Sequence, residues 1–76
     1  MPHLPRLNGK EVVKVFERVG WEVVRRHSSH IIMVKEGYVA TLSIPDHKEV
    51  AQGTLRSLIR SSELTVTEFT KVSKEV

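Results

Sequence analysis

Six consecutive residues, Arg25-Arg26-His27-Ser28-Ser29-His30, bring guanidinium, imidazole and hydroxyl groups into one short stretch. Guanidinium groups grip phosphate oxygens as paired donors, and the hydroxyls and backbone N–H groups of a tight turn add anion contacts. Imidazole is the side chain whose ordinary titration falls near neutral pH, so it can move a proton during a reaction. These are the parts of a site that binds or cleaves phosphodiesters. They equally suit a polar hairpin turn on a solvated surface, and spacing alone leaves both readings open.

His27 and His30 also form a His-x-x-His pair, which invites a metal reading. On a hairpin the two positions do not share a helical face, and no carboxylate or cysteine lies close in sequence. His47 is a third ligand only if folding brings it near. The expectation is therefore no metal and no cofactor. No Ser-His-Asp order, glycine-rich phosphate loop or Walker-type motif is present. Trp21 and the two phenylalanines sit at core-periodic positions and read as packing rather than as stacking platforms for bases.

The chain that must position these groups has 76 residues, enough for one domain spanning 1–76. A chain this short buries only roughly 60% of its unfolded surface, so its core is one modest layer. It has no cysteine, which removes disulfides, thiolate metal sites and a cysteine nucleophile together. Ile31 to Val34, the longest apolar run, is far short of the roughly 20 residues of a membrane span. The opening Met1-Pro2-His3-Leu4-Pro5-Arg6 lacks the apolar centre of a signal peptide, so the expected location is the cytoplasm. Basic charge concentrates early. Residues 1–35 hold Arg6, Lys10, Lys14, Arg18, Arg25, Arg26 and Lys35 against three glutamates, whereas the rest is near balance. With an isoelectric point of about 9.6, a polyanion is favoured over an acidic small molecule as partner.

Asn8 followed by Glu11 is a capping box, and Val12, Val15, Phe16 and Val19 then make one apolar helical stripe closed by Gly20. Strands are expected over Trp21–Arg26, Ile31–Val34 and Tyr38–Ile44, with a turn at Lys35-Glu36-Gly37. In the third, Tyr38, Ala40, Leu42 and Ile44 share the core face, and Pro45 ends the sheet. A second helix is expected over Gly53–Arg60 with Leu55, Leu58 and Ile59 inward. A second capping box, Thr65 with Glu68, opens a short third helix that buries Phe69 and Val72. The simplest closed solution is a three-stranded antiparallel sheet with both main helices on one face, an α+β fold in the order α-β-β-β-α plus a short C-terminal helix.

Five pieces stand in the order and spacing of the HicA toxins. They are Asn8-Gly9-Lys10-Glu11-Val12-Val13, Val19-Gly20-Trp21, Ser28-Ser29-His30, Ile44-Pro45-Asp46-His47 and Gly53-Thr54-Leu55-Arg56-Ser57-Leu58-Ile59. The resemblance spans about residues 7–69. It implies a double-stranded-RNA-binding-domain-like fold, which agrees with the order above. It also implies an mRNA interferase, a type II toxin acting on single-stranded messenger RNA and held inactive by a HicB-type antitoxin. The family's catalytic histidine lies in a Gly-Ser-His motif, and His30 is the matching position. Ser28 stands where the family has glycine, a departure that bears on catalytic vigour if the glycine serves a positive backbone angle.

On this reading His30 is the catalytic acid or base in a metal-free RNase. Arg25 and Arg26, with Ser29, Lys35 and Lys48, contact the RNA and neutralise charge on the phosphorane. His27, His47 and Ser28 are secondary candidates, His47 as an organiser of its loop. Two competing readings are a non-catalytic RNA-binding module and an interaction protein whose basic face receives an acidic antitoxin.

Overall fold

The computed structural model describes residues 4–76. Met1, Pro2 and His3, the start of the stretch read above for a leader, lie outside the described residues. The chain forms helix α1 (Gly9–Arg18), strands β1 (Glu22–His27), β2 (His30–Val34) and β3 (Leu42–Pro45), then helices α2 (Gln52–Ser61) and α3 (Val66–Ser73). This is the expected α+β order. The sheet is antiparallel with β2 in the centre, an arrangement compatible with a double-stranded-RNA-binding-domain-like fold.

Local chemistry sets the helix ends. The Asn8 side chain accepts the Glu11 N–H at 2.8 Å and the Glu11 carboxylate accepts the Asn8 N–H at 2.9 Å, so two orphan donors of α1 are satisfied reciprocally. Thr65 and Glu68 repeat the arrangement at α3. After α1 the chain turns through Gly20, whose φ of 101° is open to glycine at little cost. The turn returns the Trp21 N–H to the Phe16 carbonyl at 3.0 Å and sets the indole edge-on to the Phe16 ring.

Ile31 and Met33 of β2 and Leu42 and Ile44 of β3 are buried on one face of the sheet. They join Val12, Val15 and Phe16 of α1, Leu55 and Ile59 of α2, and Phe69 of α3 in one cluster. Each large apolar side chain so buried contributes about 1.5–3 kcal/mol. The opposite face carries no helix and leaves its polar side chains exposed.

Two features differ from the sequence expectation. Strand β3 begins at Leu42, not Tyr38. Tyr38 donates its N–H to the Lys35 carbonyl in a turn, its ring tilts against Trp21, and the Lys35 ammonium lies 4.7 Å from its centre. Tyr38 is thus held inward by aromatic and cation–π contacts rather than by a ladder. Strand β1 also contains a bulge: Val23 opposes Met33 and Arg25 opposes Ile32, which leaves Val24 unpaired.

Candidate functional site

His30 is the first residue of β2, one turn away from β1. The Ser28-Ser29 turn is two residues long and makes His27 and His30 direct cross-strand partners. Ser28 has a φ of 57°, while Ser29 keeps a negative one. That sign pattern is that of a type II′ turn, whose first central position ordinarily carries glycine. An L-residue in this left-handed region costs about 1–2 kcal/mol. The glycine expected from the family pattern therefore coincides with the one residue of the turn that has a positive φ.

On its other side His30 opposes Pro45 of β3. Past Pro45 the ladder continues by one bond, from the Asp46 N–H to the Ser29 carbonyl at 2.7 Å. The Asp46 carboxylate accepts a hydrogen bond from the Arg26 guanidinium at 2.5 Å. That bond is the largest influence and outweighs desolvation, so that with the nearby charges of Arg26, Lys10 and His47 it holds the Asp46 carboxyl below its ordinary value.

Directly opposed residues in antiparallel strands share a face. Arg25 pairs with Ile32 and His27 with His30, and Ile32 pairs with Ser43. All therefore lie on the face away from the helices, where Arg25, His27 and His30 are exposed. Among the described residues no set of three His, Asp or Glu side chains is grouped to hold a metal ion. Arg26 pairs with Ile31 and so turns to the helix-bearing face. There it lines an open cleft of about 270 Å³ with Lys10, Val13, Lys14, Glu17, Val23 and Ile31.

The remaining candidates are spread around this centre. Ser29 is exposed in the turn next to His30, and Lys48 is exposed in the loop after β3. Lys35 lies beyond the far end of β2, about 16 Å along the strand from His30. His47 contributes its backbone: its carbonyl accepts the Gly9 N–H at 2.9 Å, at the start of α1. A Cβ on Gly9 would stand 2.3 Å from the Pro45 oxygen and 2.7 Å from the Asp46 Cα. Only glycine lets the helix start approach this loop so closely. The Val50 N–H, bonded to the Leu7 carbonyl at 2.8 Å, closes the loop from its other end.

Sequence reasoning missed Asp46 as a partner of the hairpin, and Lys10 and Lys14 as neighbours of Arg26. Asp46 lies within the Ile44-Pro45-Asp46-His47 piece, but nothing in the spacing announces a bond to a residue twenty positions earlier. No curated protein matches the chain. A family model described as the HicA toxin of bacterial toxin-antitoxin systems matches residues 9–64, from the first residue of α1 through β1, β2, β3 and α2 to the loop that follows. The match covers more than half of the chain and contains every element around His30, so the chain belongs to the HicA toxin family of toxin–antitoxin systems.

Proposed function

We propose that this toxin is a metal-independent endoribonuclease acting on messenger RNA in the cytoplasm, with His30 as its general acid or base, and that a HicB-type antitoxin holds it in check. The observation that carries this reading is the exposed face shared by His30, His27 and Arg25. RNA brings its own nucleophile. The 2′-hydroxyl attacks the adjacent phosphorus, the bond to the 5′-oxygen breaks, and one proton leaves the first oxygen while another reaches the second. His30 serves one of these transfers, which contributes about 10²- to 10⁴-fold. Arg25, on the same face, offsets charge growing on the phosphorane. Ser29, next to His30 in the turn, and Lys48, in the loop after β3, grip the flanking strand, whereas Arg26 and Lys35 serve as outlying RNA contacts. His27 is the nearest candidate for the second proton carrier, and His47 organises the loop behind the turn.

A second reading, RNA binding without turnover, is favoured by one observation: Ser28 occupies a backbone conformation that suits glycine. Incubating the purified protein with labelled RNA in EDTA separates the two. Cleavage that leaves a 2′,3′-cyclic phosphate, and that disappears in a folded His30→Ala protein, is the expected result. A shift without cleavage supports the binder. Strict dependence on Mg²⁺ or Zn²⁺, or equal cleavage by wild type and His30→Ala, overturns the mechanism.

A further inference from the structure

We propose that Asp46 is a positioning residue for His30, tying the catalytic hairpin to the ends of all three strands; this rests on the reading of His30 given above. Asp46 makes two links of different kinds. Its backbone N–H bonds the Ser29 carbonyl at 2.7 Å, inside the turn and next to His30. Its carboxylate bonds Arg26 on β1 at 2.5 Å, next to His27. Its preceding residue, Pro45, is the strand partner of His30. His30 is therefore bracketed by Asp46 on both the turn side and the β3 side.

The clamp has a task to perform. The turn contains Ser28 at a φ of 57°, which relaxes unless its surroundings hold it. β1 is an exposed edge strand with a bulge, so its own ladder is a weak restraint on the hairpin. Asp46 is itself held from behind, because Gly9 lets α1 rest on the Pro45–Asp46 backbone and bond the His47 carbonyl. The fixed end of α1 thus reaches the backbone beside His30 through Asp46. The lowered carboxyl pKa, caused first by the Arg26 hydrogen bond, carries the charged link further into acid than an ordinary aspartate would.

Single-turnover and steady-state cleavage of a labelled RNA by Asp46→Asn, Asp46→Glu, Arg26→Met and the Asp46→Asn/Arg26→Met double variant tests this. A misplacement of about 1 Å costs up to about a hundredfold in rate. The expected result is a fall in kcat of about ten- to a hundredfold for Asp46→Asn, with KM nearly unchanged and partial rescue by Asp46→Glu. The double variant should be no worse than the poorer single one, since both remove one link. Glu75→Gln, which removes the ion pair of Arg18 and Glu75 on another part of the surface, should leave kcat unchanged. Wild-type kcat in Asp46→Asn, or an effect confined to KM, overturns the proposal while His30→Ala still abolishes cleavage. If His30→Ala cleaves like wild type, the catalytic reading falls and this inference falls with it.

Discussion

Arg25 and Arg26 project from opposite faces of the sheet, and the unpaired Val24 decides which arginine takes which face. Without the bulge Val24 would oppose Ile32, and Arg25 would turn toward the helices in place of Arg26. With it, Arg25 shares a face with His30, while Arg26 is engaged by Asp46. Two neighbouring guanidinium groups therefore have unequal work.

That inequality should be visible in salt titrations of RNA binding. Each phosphate contact contributes a slope of about −0.7 for single strands. Arg25→Ala should make the slope shallower by about that amount. Arg26→Ala should change it less, because its charge is already offset by Asp46. Equal changes, measured by fluorescence anisotropy over several salt concentrations, would show that the bond to Asp46 does not lessen the contribution of Arg26.

Ser28→Gly should stabilise the protein. Removing the left-handed strain recovers about 1–2 kcal/mol, and the added freedom of the unfolded chain takes back about 0.5–1 kcal/mol. For a domain of this size a net gain of about 1 kcal/mol raises Tm by about 4–8 °C. Cleavage should rise with little change in RNA affinity, since the gain lies in aiming the imidazole. If activity or affinity falls instead, the Ser28 hydroxyl has a phosphate contact of its own.

Gly9→Ala should do the opposite. Its Cβ meets backbone atoms of Pro45 and Asp46 at 2.3 and 2.7 Å, and backbone cannot swing aside as a side chain would. Overpacking of this kind costs about 1–3 kcal/mol. Thermal melts should show the loss, and amide exchange at residue 9 and Asp46 should quicken as the loop is pushed off α1. An unchanged Tm would show that the helix start can shift without cost.

Acid should remove two local restraints together. Asp46 is held below its ordinary value of 3.8 by the Arg26 hydrogen bond first, and Glu68 below 4.5 by hydrogen bonds from the backbone and then the side chain of Thr65. A carboxyl whose folded pKa is depressed contributes stability that is complete above its unfolded value and is lost as pH falls through the folded one. Wild-type Tm should therefore drop below about pH 4.5. Asp46→Asn and Glu68→Gln should lie below wild type at neutral pH and converge on it as pH falls. A gap that persists at pH 2 would place their effect elsewhere than in ionisation.

Both capping boxes were legible in the sequence because each is settled within four residues. The apolar stripe of α1 followed from periodicity within a few turns of helix. The start of β3 was not legible: alternation from Tyr38 onward suits a strand, yet Tyr38 is claimed by Trp21 and Lys35, contacts that exist only after the sheet forms. His30 could be singled out by motif, and the serine in the glycine position by departure from it. The Arg26–Asp46 bond and the Val24 bulge were invisible, since each is a property of register between segments and not of any one segment.

The bulge also bears on how this chain behaves when it stands alone. β1 is exposed along its length, with Val23 and Val24 open to solvent, and its outer row of N–H and C=O groups faces no strand. A flat edge of that kind recruits copies of itself and grows into aggregates. Val24 kinks the edge, and Arg25 and Arg26 set positive charge beside it, so two copies repel and cannot match ladders. Deleting Val24 leaves Val23 opposite Met33 and Arg25 opposite Ile32, and thus keeps every face assignment, but it straightens the edge. Such a protein should fold around the same core and then self-associate with rising concentration. A Val24-deleted protein that stays monomeric at every concentration would show that the bulge does not guard this edge.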